Sequence, residues 1–190
     1  ISYSVTTNTS IFEAAAYNGQ LVLKLKEGVT VNHEANDSYS VTVKASDGVP
    51  SNDITKTFTI SVADLNETPI LAQPTSSSII EDATETVSGT LIASDPDVGQ
   101  VITYGITGGS SSGASTVKIE GVYGALSVNT SNGAYSYTLD KTKTATKDLS
   151  ASDQVSEIFK FTATDNAASP LSATKNFTVN ISGTDSGAVL

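Results

Sequence analysis

The side chains able to do chemistry in this sequence are almost all carboxylates. Its 190 residues include 20 acids, 12 Asp and 8 Glu, against 10 Lys and no Arg, for a formal charge of −10. Many of the Asp stand beside Gly, Pro or Asn at the ends of patterned segments, as in Asp47-Gly48-Val49-Pro50, Asp64-Leu65-Asn66-Glu67 and Asp95-Pro96-Asp97. Acids gathered in loops can chelate a divalent cation, which needs hard oxygens from several directions. Acids spread over a surface only keep a protein soluble, and an Asp-x-Asp beside Pro can simply cap a turn. Composition leaves these readings open.

Other chemistries find less support. Glycoside hydrolysis needs two carboxylates held ~5–9.5 Å apart across a cleft, and nothing here builds the aromatic walls of one. The aromatics are 7 Tyr and 5 Phe with no Trp, mostly on alternating positions. Tyr104, Tyr123, Tyr135 and Tyr137 are the candidates for a carbohydrate platform, with core packing the plainer reading. His33 is the single His, so any Ser-His-Asp triad would have to use it; beside Glu34 it reads as a loop residue. Without Cys there is no thiolate zinc site, disulfide framework or cysteine nucleophile. The expectation is a chain that is not an enzyme, with no catalytic residue and no organic cofactor.

The elements that must carry these acids alternate with period two. Residues 2–5, 21–25, 39–45, 55–62, 87–93, 101–106, 116–119, 125–128, 134–139, 158–164 and 175–181 are rich in Val, Ile, Thr, Tyr and Phe, as strands with one buried face are. Asn18-Gly19, Asp47-Gly48, Gly108-Gly109 and Asn132-Gly133 mark tight turns. One short helix is predicted, over residues 147–154. The fold expected is all-β: two tandem antiparallel β-sandwiches with Greek-key connections.

The boundary falls in the stretch 64–74, DLNETPILAQP, where two prolines stop any ladder from running through. Both halves place an Ala-Ser/Thr-Asp element after a strand (Ala45-Ser46-Asp47, Ala163-Thr164-Asp165), then a loop with Pro, then a strand ending near an Asp. This is an internal repeat of one module, the second copy longer. Neither half is basic, with 4 Lys against 8 acids through residue 68 and 6 against 12 beyond. A nucleic-acid partner is therefore not expected. No apolar run approaches the ~20 residues of a membrane span, and no signal peptide opens the chain. Ile rather than Met at position 1 predicts an excised or processed fragment.

At these motifs the chain resembles a bacterial tandem adhesin of the large secreted, RTX type. Residues 1–68 resemble a cadherin-like domain lacking its first strand, on the opening Ile-Ser-Tyr-Ser-Val, the stretch from Phe12 to Leu21-Val-Leu, YSVTVKASD at 39–47, and a linker at 64–69 like the family's DxNDxxP. Residues 69–190 are similar to a VCBS-type repeat, on SGTLIASDPD (88–97), VYGALSVNTSNGAYSYTLD (122–140) and the closing ATDN and ISGTD. The resemblance implies Ca2+ between consecutive sandwiches. Carried over residue by residue, its metal ligands would be Asn32 and Glu34, then Asp64, Asn66 and Glu67, then Asp95, Asp97 and Asp165. Asn32 and Glu67 replace acids expected to be Asp, which predicts weak, millimolar to sub-millimolar affinity. Asp47, Glu81, Asp140 and Asp185 would be weaker half-sites.

The resemblance further implies a calcium-stiffened extracellular repeat of a bacterial cell-surface or biofilm adhesin acting in cell adhesion. Its partners would be neighbouring repeats and a surface polysaccharide or protein ligand, without membrane insertion. The alternatives are a carbohydrate- or matrix-binding module, or an accessory domain of a secreted polysaccharide hydrolase. A chain without Cys or Met suits secretion, being immune to disulfide misoxidation and methionine sulfoxide. The first domain, short of a strand, should show an exposed edge or recruit a strand from elsewhere.

Overall fold

The computed structural model describes residues 1–82 and 86–185. It divides into two compact units, Ile1–Leu65 and Asn66–Leu190. Among the described residues no helix is long and apolar enough to cross a membrane.

The first unit has five strands: β1 (Ser2–Val5), β2 (Phe12–Tyr17), β3 (Gln20–Leu25), β4 (Ser38–Ser46) and β5 (Ile54–Ser61). β1, β4 and β5 form one antiparallel sheet, and β2 and β3 form a separate hairpin. That hairpin turns through Asn18 and Gly19, at φ 50° and 76°. Positive φ at both central residues is what a two-residue turn needs to match the twist of its strands. Register puts Phe12, Ala14, Ala16, Leu21, Leu23 and Leu25 on one face, because directly opposed residues share a face. The other sheet offers Tyr39, Val41, Val43, Phe58 and Ile60. Only Phe12, Val41 and Val43 are buried, with the Tyr39 ring edge-on to Phe12 at 5.4 Å.

The described residues of the second unit form eleven strands: β6 (Ile70–Leu71), β7 (Ser77–Ile80), β8 (Thr86–Thr90), β9 (Ala93–Ser94), β10 (Thr103–Ile106), β11 (Ser110–Ser111), β12 (Thr116–Glu120), β13 (Gly124–Asn129), β14 (Ala134–Leu139), β15 (Gln154–Thr164) and β16 (Ser172–Ser182). One sheet runs β10-β15-β16-β7 and the other β11-β12-β13-β14-β8, with β6 and β9 paired apart. All pairs are antiparallel except β7 with β16. Alternation in both long strands sends Phe159, Phe161 and Ala163, with Phe177, Val179 and Ile181, into a core shared with Leu126, Val128 and Tyr137. Tyr135, Phe161 and Phe177 form an aromatic cluster with ring centroids 5.0–5.4 Å apart. Tyr135 and Tyr137 are thus core residues, while Tyr104 and Tyr123 pack against the core half-buried.

The helix expected over residues 147–154 lies earlier and is shorter, at α1 (Thr144–Lys147). The chain leaves it because the Asp153 carboxylate accepts from the Ser150 N–H at 2.7 Å and the Ser150 hydroxyl at 2.8 Å. Such a side-chain turn competes with helix continuation.

Candidate metal centre

In the first unit three candidate groups meet. The loop ahead of β4 is closed by Asn32, whose Oδ1 accepts the Ala35 N–H at 2.7 Å. This turn presents His33 and Glu34, and their ligand atoms lie with one from Asp64 within 4.8 Å of one another. His33 Nδ1 is 3.4 Å from Glu34 Oε1 and 3.6 Å from Asp64 Oδ1. Asp64 follows β5, where the Val62 N–H donates to Asp37 O at 2.8 Å and holds the strand end beside this loop. Glu34 Oε2 is buried without a hydrogen-bond donor. Asn32 is the turn's cap, so its amide oxygen already accepts one bond. His33 was expected as a plain loop residue; sequence spacing gives no sign that its ring faces two carboxylates, one of them 31 positions away.

The second unit gathers its own group. The Glu67 N–H donates to Asp97 Oδ2 at 3.0 Å, and the Asp97 N–H donates to Asp95 Oδ1 at 2.9 Å. The Asn66 side-chain amide donates to Asp165 Oδ2 at 3.0 Å and to Ser169 O at 3.3 Å. Asp165 also accepts from the N–H groups of Ala167 and Leu171, at 3.1 and 3.0 Å. Asn66, Glu67, Asp95, Asp97 and Asp165 are thereby linked through three loops, and Asp97 and Asp165 are buried, 8% and 4% exposed. Burial pushes the Asp165 carboxyl up, but the donors from Asn66, Leu171 and Ala167 outweigh it and hold the group below its usual range.

Four oxygens in this second group are buried with no donor: Asn66 Oδ1, Asp95 Oδ2, Asp97 Oδ1 and Gln100 Oε1. Gln100 was not foreseen, because a neutral amide three residues past an acidic pair carries no charge signal. Its N–H donates to Asp97 O at 3.3 Å, which places it in the same loop.

The remaining candidates lie elsewhere. In the first unit Asp47 follows the nine-residue β4, ~30 Å along the strand direction from Glu34. There it accepts from Val49 N–H at 2.9 Å and the Asn52 amide at 3.0 Å. In the second unit the eleven-residue β15 separates Asp165 from a set at the other end of the sandwich. Glu81 accepts from Thr184 N–H at 3.1 Å, Asp185 from Ala151 N–H at 3.2 Å, and Asp140 from Thr142 N–H at 2.8 Å. Glu81 is buried, Asp185 exposed; each already serves as acceptor in a loop.

One functional-looking carboxylate escaped the sequence reading. Glu157 is buried in β15 and accepts from Val122 N–H, Tyr123 N–H and the Tyr137 hydroxyl. Its phase with Phe159 and Phe161 was the available signal. A Cβ on Gly121 would stand where its carboxylate lies, so the β12–β13 turn and the buried acid fit only together. A cavity of about 680 Å³ forms an open groove over the outer face of β12–β14, lined by Lys118, Glu120, Ser127, Thr138 and Asp140, apart from the oxygen cluster at Asp97.

No family model matches the chain, and no curated protein sequence does. Solved structures of cadherin extracellular domains do resemble it. A protocadherin gamma B7 EC3–6 cis-dimer is 22% identical over 94% of this chain, with a TM-score of 0.57. Protocadherin gamma B2 domains 1–5 are 20% identical over 94%, with a TM-score of 0.61. Mouse cadherin-23 EC22–24 is 22% identical over 96%, with a TM-score of 0.55. The chain spans 40%, 32% and 52% of those three chains, respectively. The fold is cadherin-like: a nearly all-β chain built of β-sandwich units.

Proposed function

We propose that this chain is a calcium-stiffened extracellular repeat segment of a bacterial cell-surface adhesin, a cadherin-like domain over residues 1–68 followed by a VCBS-type repeat over residues 69–190. The observation that carries this reading is the set of buried, donorless oxygens on Asn66, Asp95, Asp97 and Gln100 of the second unit. A buried acceptor left unpaired costs ~1–3 kcal/mol, and more when charged. A cation that accepts about six to eight oxygen ligands removes that cost. The donors are carboxylates and amides without a thiolate, which favours a hard ion over zinc or copper. Ligands scattered over irregular loops suit calcium's loose coordination better than magnesium's strict octahedron.

In the second unit Asp95, Asp97, Asn66, Glu67 and Asp165, with Gln100 as an amide donor, would hold an ion; in the first, Glu34 and Asp64, with Asn32 as an amide donor, are the candidates. Bound calcium would supply positive charge and fixed coordination; it would do no chemistry. Four successive residues, 64–67, carry three of these donors, so an ion held there would stiffen the chain at its linker. Adhesion and an extracellular location follow from the cadherin-like fold only as part of this proposal. Titration calorimetry with calcium tests the binding, and small-angle scattering tests the stiffening. We expect saturable binding that Asp97→Ala weakens at least tenfold, and particle dimensions that change on adding chelator. Equal dimensions in calcium and chelator would remove the stiffening; no calorimetric signal at millimolar calcium would remove the metal.

A further inference from the structure

The two units share a framework. β1-β4-β5 of the first corresponds to β10-β15-β16 of the second, each an antiparallel trio. The hairpin β2–β3 corresponds to β13–β14, and both hairpins turn through an Asn-Gly pair, Asn18-Gly19 and Asn132-Gly133. Both glycines have positive φ, 76° and 71°. An Asn followed by Gly can react with its own backbone, because no Cβ on the glycine hinders the approach. The glycine nitrogen gives its proton to a solvent base and attacks the Asn Cγ. The new C–N bond closes a succinimide ring, and the Cγ–Nδ2 bond breaks with release of ammonia. Water then opens the ring at either carbonyl, leaving aspartate or isoaspartate.

The two pairs are held very differently. In the second unit the reacting groups are engaged. The Gly133 N–H donates to Asn129 O at 3.0 Å, and Asn132 Oδ1 accepts the Ala134 N–H at 3.0 Å. The Asn132 N–H donates in turn to Asn129 Oδ1 at 3.1 Å. Gly133 is buried, and a Cβ there would stand 3.1 Å from the Tyr104 ring. Bringing its nitrogen onto Asn132 Cγ breaks hydrogen bonds and moves a packed backbone. In the first unit neither the Asn18 side chain nor the Gly19 N–H makes a hydrogen bond among the described residues. Nothing lies within 4 Å of a Cβ placed on Gly19, and residues 15–20 are all exposed. A hairpin tip with so few contacts opens locally at little cost in free energy.

We infer that Asn18 is a site of spontaneous deamidation, a self-modification that the fold permits in the first unit and blocks at Asn132 in the second. The isoaspartate product is the consequential one. It inserts a methylene into the backbone at position 18, inside a two-residue turn that needs positive φ at both central residues. The turn then loses its geometry, and with it the connection that pairs Phe12–Tyr17 with Gln20–Leu25. The aspartate product keeps the turn, since Asp-Gly forms the same one. The first unit thus carries a slow, irreversible step from a closed hairpin to an open one, with water as the only co-reactant.

The test ages the full chain in mildly alkaline buffer and digests it. Each site is followed by peptide mass, as oxygen replaces NH, and by enzymatic carboxyl methylation specific for isoaspartate. In the folded chain Asn18 should convert at least tenfold faster than Asn132, a factor that the broken hydrogen bonds supply. In guanidinium chloride the two rates should converge to within about threefold, because the dipeptide is the same. Hydrogen exchange across residues 12–17 and 20–25 should quicken as isoaspartate accumulates. An aged Asn18→Gly variant, whose Gly-Gly pair suits the same turn, should show no quickening. Equal rates at the two sites in the folded chain overturn the inference. A gap that survives unfolding also overturns it, by tracing the difference to neighbouring residues rather than to the fold. Isoaspartate at position 18 with unchanged exchange in the hairpin overturns the opening. None of these readouts depends on whether calcium binds.

Discussion

The same framework appears twice in this molecule with very different cores. In the second unit the inward residues of β13–β16 reach zero exposure at Leu126, Val128, Tyr137, Phe161, Phe177, Val179 and Ile181. In the first, β4 alone achieves this depth, at Val41, with Phe12 and Val43 close behind. Strand propensity does not explain the gap, since β3 and β5 are as rich in Leu, Ile and Thr as their counterparts. The gap follows from two additional strands, β7 and β8, which cover one side of the second unit. A sandwich that buries its apolar faces only from three sides gains less from each side chain, because hydrophobic stabilisation scales with the area removed from water.

The largest effect that would sharpen this comparison comes from truncating the cores. Phe161→Ala should destabilise the second unit by about 3–5 kcal/mol, the range for a buried Phe leaving a cavity. Phe58→Ala, at a half-exposed site on β5, should cost the first unit less than half as much. Denaturant unfolding followed by segment-resolved hydrogen exchange separates the two units. Equal losses would mean that the first unit's core is effectively closed and the comparison fails.

Metal removal should come next in size and should act on the loops rather than the strands. At a free calcium concentration about 100 times the dissociation constant, binding to the folded state alone adds ~2.7 kcal/mol. Chelator should therefore speed exchange at residues 64–67 and 95–101 and lower the melting temperature. Asp97→Ala should cut that difference between calcium and chelator by about half or more. If chelator leaves both exchange and melting unchanged, the donorless oxygens are not a calcium site.

Glu157, the acid buried within β15 of the second unit, has no counterpart in the first and gives a third, smaller contrast. Tyr137→Phe removes the hydroxyl that donates to Glu157 and should cost about 1–3 kcal/mol, the price of leaving a buried acceptor unsatisfied. Burial, together with that bond and the nearby carboxylate, pushes the Tyr137 hydroxyl well above the usual range for tyrosine. Its folded-state pKa is raised, so its contribution is complete below pH ~10 and is lost as pH rises further. Tyr137→Phe should accordingly flatten the alkaline limb of the stability profile, measured by melting between pH 8 and 11. An unchanged alkaline limb would show that the hydroxyl is not held in this way.

How much of this was legible depended on how local the signal was. β14, with strict alternation between a turn and an Asp, was read with its bounds intact, and β1 likewise. β2 went unread because FEAAAY has neither β-branched residues nor alternation; β3 across an Asn-Gly turn is what makes it a strand. β7 is only four residues of SSII and owes its state to parallel pairing with β16, about a hundred positions away. The acids behaved similarly. Asp97 and Asp165 carried a motif, whereas Gln100 and the ring of His33 belong to their groups only through loop geometry, which spacing does not encode.

The smallest prediction tests whether the units differ anywhere but in their cores. Each has an acid that organises a turn by accepting local donors. Asp47 is held below the usual carboxylate range by the Asn52 amide and then the Val49 N–H. Asp153 is held below it by the Ser150 N–H and then the Ser150 hydroxyl. A depressed folded-state pKa means stability that is present above the unfolded value near pH ~4 and is lost as pH falls through the folded one. Asp47→Ala and Asp153→Ala should each reduce the steepness of acid unfolding between about pH 4 and pH 2, and by similar amounts, because the donors are alike and both turns face water. Parallel acid titrations of the two variants, followed by exchange in their own units, check this. A clearly larger effect for Asp153 would mean that the better-packed core amplifies even its turns, and that the two units differ in more than the two strands that close one of them.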